Sequence, residues 1–169
     1  MGFKEIDIKS FTCNPFTKIG QEWFLITAGN QEQYNTMTAA WGNMGYLWNK
    51  NVVTTYIRPQ RYTKEFVDTN ELCTISFFDE SYKDALTYCG RHCGRTEDKV
   101  SNAGLTPYYI DGTVGFQEAT MMLVCKKLYH QYLLPENFEE SQLAVQNYPE
   151  EDYHMMYISE VVKVLVREK

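Results

Sequence analysis

FQEATMMLVCKKLYHQY, residues 116–132, is the stretch that decides the fold. It alternates weakly, carries a long apolar middle, and is much longer than an ordinary strand of about 5–6 residues. DYHMMYISEVVKVLVR, residues 152–167, has the same character. Two long strands able to bend are what closing a small barrel requires. Between them, 135–152 holds Glu136, Glu139, Glu140, Glu150, Glu151 and Asp152 without one Lys or Arg. Those acids equal the formal net charge of −6. The segment therefore reads as a solvated acidic helix and loop inserted into a near-neutral body.

Working upstream, EWFLITAG (22–29) reads as a buried strand ended by the Gly29-Asn30 turn signal. NTMTAAW (35–41) is short and rich in β-branched and small residues, and Gly42 to Gly45 breaks it. NVVTTYIR (51–58) is a strand closed by Pro59, and ELCTISFF (71–78) is another. Between these two, 61–69 places Tyr62, Phe66 and Val67 on one helical face; after the second, 81–92 spaces Tyr82, Ala85, Leu86 and Cys89 as another helix. The order lacks the regular βαβ alternation of a doubly wound sheet. It suits a mainly β chain, an antiparallel barrel with helices inserted at its rim. No repeat or linker interrupts it, so one domain over 1–169 is expected.

Composition narrows the function. The 169 residues are 44% hydrophobic and 22% charged, which excludes wholesale disorder. Aromatic residues reach 15%, thirteen of them Tyr, favouring strands and amphipathic pockets. The acidic balance argues against general nucleic-acid or anionic-membrane binding. No apolar run approaches the roughly 20 residues of a membrane helix. The first ten residues mix Lys4, Glu5, Asp7 and Lys9 with single apolar residues, unlike a signal or transit peptide, so a cytoplasmic setting is expected. The five cysteines form an odd set without a CxxC pair, and His92, His130 and His154 show no HExxH spacing, so no metal site is expected.

There is no GxGxxG, GxxxxGK[ST] or GxSxG. Three stretches remain. Asn35 to Trp41 offers backbone donors, two hydroxyls and an amide beside small residues that let a flat ligand approach; a plain Thr-rich edge strand explains it equally. In TYIRPQRYT (55–63) a strand hands over to a helix, where the first helical N–H groups, Arg61 and the Thr63 hydroxyl can hold a phosphate. A strand-to-helix turn with solvated arginines is the alternative. CGRTEDK (93–99) sets glycines among Arg91, Arg95 and Lys99, a basic loop in an acidic protein, unless its cations only pair with Glu97 and Asp98.

Taken together, NTMTAAWGNMG, VVTTYIRPQRYT and CGRHCGRTEDKV, with DYHMMYISEVV near the end, resemble the flavin reductase-like family, FMN-binding split-barrel proteins that include flavoredoxins. The resemblance runs from about Glu22 to Val166 and implies a split antiparallel β-barrel. Two residues depart from the family pattern: Gln60 stands where a Ser is usual in the RPSRYT-like turn, and Cys93 where a Ser is usual in the SGR-like loop.

What the resemblance implies is a non-covalent FMN at a homodimer interface, reduced by NADH, NADPH or a protein donor, with a small-molecule or redox-protein acceptor. The chemistry then belongs to the isoalloxazine ring, hydride arriving at N5 and negative charge developing around N1 and O2. By the match, Asn35, Thr36, Met37, Thr38 and Ala40 line the ring and ribityl chain. Tyr56, Arg58, Arg61, Thr63 and Lys99 serve the ribityl and phosphate end, with Cys93 and Gly94 in the adjoining loop. His154 is the one candidate proton donor; a hydrogen-bonded structural histidine is the plainer account. Cys89 and Cys93, at i, i+4, admit a redox pair or two free thiols. Trp41 and Trp48 serve either a substrate pocket or a core or interface. Three function classes compete: an FMN-dependent flavin reductase-type oxidoreductase, an FMN electron carrier between proteins, and a non-catalytic module holding FMN or another ligand in the same barrel.

Overall fold

The computed structural model describes residues 2–168, so Met1 and Lys169, the ends of the expected 1–169 domain, lie outside the described residues. In chain order the elements are β1 (Phe3–Ile6), α1 (Pro15–Thr17), β2 (Phe24–Gly29), β3 (Tyr34–Ala39), β4 (Gly42–Leu47), β5 (Lys50–Ile57) and α2 (Tyr62–Thr69). There follow β6 (Leu72–Phe77), α3 (Lys83–Arg91), α4 (Lys99–Asn102), β7 (Pro107–Ile110), β8 (Thr113–Phe116), β9 (Met121–Tyr132), α5 (Ser141–Asn147) and β10 (Met155–Arg167). The main sheet is antiparallel in the order β3-β2-β6-β9-β10-β5-β4, and β1 also pairs with β10. The fold is a split antiparallel β-barrel with inserted helices.

Strand β10 makes the split possible. Its first half, Met155 to Glu160, pairs with β5, and its last residues, Val164 to Arg167, pair with β1. Along its other edge β9 follows it throughout, with register shifts at Ile158/Ser159 and Val161/Lys163. Such bulges bend a strand and let it serve two faces.

Alternate side chains of the central strands enter two cores. Phe24, Ile26 and Ala28 of β2 join Leu123 and Cys125 of β9 inside the barrel, with Phe66 and Val67 of α2 closing it. Leu25 and Met122 face the other way, into a cluster with Leu86 and Cys89 of α3 and Phe116 of β8. Strands buried on both faces read as nearly continuous apolar runs. That explains 22–29 and 71–78.

Three details differ from the sequence reading. Residues 116–132 are not one strand: β8 ends at Phe116 and β9 begins at Met121. At the break the Ala119 N–H turns back to the Phe116 carbonyl, and Thr120 is held by the Phe77 carbonyl. The turn lets β8 pair with β7 as a separate hairpin. Residues 42–47, read as a break because of their glycines, form edge strand β4 on β5. A Cβ on Gly42 would sit 2.8 Å from the Thr54 carbonyl, so the glycine allows this close pairing. Trp48 and Asn49, at φ 53° and 59°, supply the two left-handed residues of a type I′-like hairpin turn. The third is β1, which the sequence reading passed over. Among the described residues no helix is long and apolar enough to cross a membrane.

Candidate functional site

Strand β5 ends at Ile57, and the Arg61 N–H closes a turn onto the Arg58 carbonyl before α2 begins. Pro59 enforces that stop, since it offers no N–H to a ladder. The turn faces two adjoining cavities. One, of about 210 Å³, is lined by Met37 to Trp41, Tyr56, Arg58, Arg61 and His154. The other, of about 170 Å³, is lined by Gln60 to Thr63 together with Gly90 to Cys93 and Lys99. Arg61 belongs to both.

The smaller cavity is cationic. Lys99 is only 4% exposed, and its Nζ donates to the carbonyls of Cys89 and His92, each at 3.2 Å. The Arg61 guanidinium donates to the Gly90 carbonyl at 2.9 Å. These carbonyls lie at the C-terminal end of α3, where the helix leaves unpaired acceptors and partial negative charge. That dipole lets a buried Lys99 sit beside a half-buried Arg61. Neither has a carboxylate within ion-pair distance among the described residues. Burial, and next the neighbouring Arg61, push the Lys99 ammonium down to about 8.

The loop between α3 and α4 is clamped from outside. Glu97 accepts from the Tyr88 hydroxyl at 2.5 Å and the Asn102 amide at 2.9 Å, and pairs with His92 Nδ1 at 2.6 Å. These bonds, the Tyr88 one first, hold its carboxyl down to about 2. Tyr88 and His92 stack at 3.8 Å between ring centroids. Inside the loop, a Cβ on Gly94 would overlap Asn35 Oδ1. Glycine there lets the loop close over β3.

The larger cavity has an aromatic wall on the acidic insert. The His154 imidazole packs 5.0 Å from Trp41 and 5.5 Å from Tyr148, centroid to centroid, and shares a hydrogen bond at 2.9 Å between Nδ1 and the Tyr148 hydroxyl. Arg58 pairs with Asp152 at 2.5 Å, donates to the Asn147 carbonyl at 2.8 Å and lies over the Tyr148 ring. Gln60 donates to the same Asp152 at 2.6 Å. The unusual Gln at this position thus ties the turn to the insert.

Most of the expected residues are brought together: Met37, Thr38, Ala40, Tyr56 and His154 at the larger cavity, Thr63, Cys93 and Lys99 at the smaller, and Arg61 between them. Others are placed differently. The Thr36 hydroxyl turns away from the cavity, bonded to Thr27 at 2.8 Å and the Ile26 carbonyl. Asn35 lines neither cavity; its amide is held by Thr63. Thr38 reaches the cavity edge, but its hydroxyl is bonded to the Leu86 carbonyl. Arg58 lines the larger cavity with its guanidinium engaged by the insert, which takes it away from the phosphate role expected of it. His154 is buried, and burial holds its pKa down to about 4, with Arg58 adding to the effect. A neutral imidazole at pH 7 runs against the proton-donor expectation. Cys89 is buried in α3, its thiol pushed up to about 11 by burial, whereas Cys93 is exposed in the loop. The Gly90 carbonyl and the Glu97 clamp were missed. Tyr88 and His92 at i, i+4, with Glu97 five residues on, were the available signal for the clamp.

Residues 16–169 match the family model described as flavin reductase like domain. The chain belongs to the flavin reductase-like family. No curated protein matches its sequence. Among solved structures, it resembles an FMN-binding domain of a flavin reductases-like enzyme from Shewanella baltica at 15% identity and TM-score 0.69, covering 98% of this chain and 77% of that one. Flavoredoxin of Desulfovibrio vulgaris is similar at 22% identity and TM-score 0.67, over 86% of this chain and 69% of that one. Nitrilotriacetate monooxygenase component B from Bacillus cereus follows at 18% identity and TM-score 0.68, over 96% and 81%. At these identities the likeness is one of fold. Within the family frame, the paired cavities meeting at Arg61 are the feature of this chain that bears on a ligand.

Proposed function

We propose that this protein is an FMN-dependent oxidoreductase of the flavin reductase or flavoredoxin type. It would pass electrons from a nicotinamide cofactor or a protein donor through bound FMN to a small-molecule or protein acceptor. The observation that carries the reading is a buried Lys99 beside a half-buried Arg61, facing a cavity with no carboxylate in ion-pair contact with either. Burying charge without a counter-ion is unfavourable. A phosphate supplies the missing charge, and Arg61 can grip two of its oxygens in parallel. The adjoining cavity, with Ala39, Ala40 and Met37 on one side and Tyr56 on another, suits a flat ring system. The FMN named for structural relatives fits both halves.

When bound, FMN would supply two-electron redox chemistry. The chain's part is to hold and screen it. Arg61, Lys99 and Thr63 bind the phosphate; Met37 and Ala40 floor the ring; Trp41 and His154 exclude water from one edge. The His154 imidazole, neutral at pH 7, offers hydrogen bonding rather than a proton. The five free cysteines agree with a reducing, cytoplasmic setting. A homodimer with flavin sites near its boundary is part of the proposal. Its support is the exposed aromatic surface of Trp41 at the cavity mouth and of Tyr46 and Trp48 on the β4–β5 hairpin. Light scattering giving a monomer at micromolar concentration would count against the dimer.

The test is the visible spectrum of purified protein before and after anaerobic NADH or NADPH. A flavin spectrum bleached by the nucleotide is the expected result. A flavin that stays oxidised points to a protein-to-protein carrier or a non-catalytic module. Colourless protein that takes up no FMN overturns the reading.

A further inference from the structure

We propose that Asn35 is a positioning residue whose amide turns the Thr63 hydroxyl so that its proton points into the anion cavity. The inference rests on reading that cavity as the phosphate site of FMN. Asn35 was expected at the flavin ring, but it stands at the start of β3 behind the cavity, 5% exposed. Its Nδ2 donates to Thr63 Oγ1 at 2.8 Å. Thr63 lies on the first turn of α2, lines the cavity and is 1% exposed.

A hydroxyl has one proton and two lone pairs. Accepting from Asn35 occupies a lone pair, and the Thr63 proton then needs an acceptor of its own. Among the described residues the Thr63 hydroxyl has no partner but Asn35. A buried donor left without an acceptor is costly, and an anion oxygen in the cavity is the acceptor that completes the set. The polarity depends on residue 35 being an amide. A carboxylate there has no proton to give. It would draw the Thr63 proton to itself and turn the hydroxyl's lone pairs toward the phosphate. Gly94 is the other half of the device, because any side chain there would overlap Asn35 Oδ1 and displace the amide. One amide thereby ties β3, behind the cavity, to α2 and to the loop before α4, which both border it.

The experiment is a double-mutant cycle. Dissociation constants for FMN and riboflavin are measured by flavin fluorescence on wild type, Thr63→Val, Asn35→Asp and the double variant, at one salt concentration. Thr63→Val is expected to weaken FMN about tenfold, the scale of a hydrogen bond to a charged group, while riboflavin changes by less than about twofold. Asn35→Asp should weaken FMN at least as much. In the Thr63→Val background the same substitution should matter about fivefold less, because no hydroxyl remains to turn. A merely structural Asn35 would lower affinity for both flavins alike. Effects that simply add, or an unchanged FMN affinity in Thr63→Val, overturn the proposal. Should the buried carboxylate prevent folding, Asn35→Ala takes its place in the cycle with a smaller coupling expected, because alanine frees the hydroxyl without reversing it, and strict additivity there too overturns the proposal. Arg61→Ala separates the two possible failures. If it weakens FMN selectively while the cycle shows no coupling, the phosphate reading stands and the role of Asn35 falls. If wild type binds riboflavin as tightly as FMN, the phosphate reading falls and the proposal with it.

Discussion

Arg58 and Arg61 stand three residues apart on one turn, and their surroundings are opposite. Arg58 has a carboxylate, a carbonyl and an aromatic ring: Asp152, Asn147 and Tyr148, all from the acidic insert. Arg61 has one carbonyl, that of Gly90, and a second cation, Lys99, beside it. A guanidinium whose fork is filled by protein holds protein together. One that is half-buried at a cavity and left without an anion is preorganised to receive one. Composition cannot separate the two, since both read as an Arg near a strand end.

The sharpest way to break this comparison is Arg61→Ala. Losing a charge-assisted contact of about 1.5–3 kcal/mol should weaken FMN roughly ten- to a hundred-fold. Riboflavin, which lacks the phosphate, should bind as before. Paired dissociation constants at one salt concentration check it. Equal loss for both flavins would reduce Arg61 to a structural residue like its neighbour.

Arg58→Ala should act on the other side of the comparison. It leaves Asp152 without its cation and frees the insert from the barrel, so a destabilisation of about 2 kcal/mol is expected. For a chain of this size that lowers the melting temperature by roughly 4–8 °C. The preference for FMN over riboflavin should not change. A collapse of that preference would show that Arg58 reaches the phosphate after all.

These two arginines also show how far the sequence reading went. Barrel class, the α2 and α3 helices and the solvated insert followed from periodicity, β-branched content and charge, because those signals are local. Arg61 and Thr63 were read as an anion site from the strand-to-helix turn and Lys99 from the basic loop, and the motif resemblance joined them. What was hidden depends on partners distant in sequence. Asn147 and Asp152 are far along the chain from Arg58, and no spacing announces that pairing. Thr36 and Thr38 alternate with Met37 and Ala39 along β3, so the pattern put the two hydroxyls on one face but gave no sign that they turn to Thr27 and Leu86, partners on other elements. Edge strand β4 was missed because glycines that permit close pairing look the same in sequence as glycines that break a strand.

Lys99 gives a smaller test. With its pKa held down to about 8, it is largely charged at pH 7 and largely neutral at pH 9 in the free protein. A bound phosphate favours the charged form, so binding takes up a proton once the pH passes about 8. FMN affinity should fall with rising pH above that point, by up to about tenfold per unit. Riboflavin affinity should stay level. Titrations at pH 7, 8 and 9 on wild type and Lys99→Arg decide it, because the arginine stays charged and should remove the slope. A slope that persists in Lys99→Arg would assign it to another group.

The smallest effect is expected at the aromatic wall, and it decides whether His154 is a structural or an acid–base residue. Its folded pKa, held down to about 4 by burial and by Arg58, lies below the ordinary 6.5 of the unfolded chain. Between those values the unfolded chain binds a proton that the folded protein does not, so stability falls as the pH is lowered. The contribution is fully present above about 6.5 and lost progressively down to about 4. From pH 7 to pH 5.5 the wild type should lose about 1 kcal/mol that His154→Gln does not lose, a difference of roughly 2–4 °C in melting temperature. The carboxylates held below their ordinary range, Asp68, Glu71, Asp152 and Glu97, are common to both proteins and cancel in the comparison. Melting curves at both pH values on the two proteins give the difference directly. Matching losses would mean that His154 takes up a proton in the folded state as readily as in the unfolded one. It would then carry a dissociable proton beside the larger cavity, and the acid–base role that its burial argues against would have to be restored.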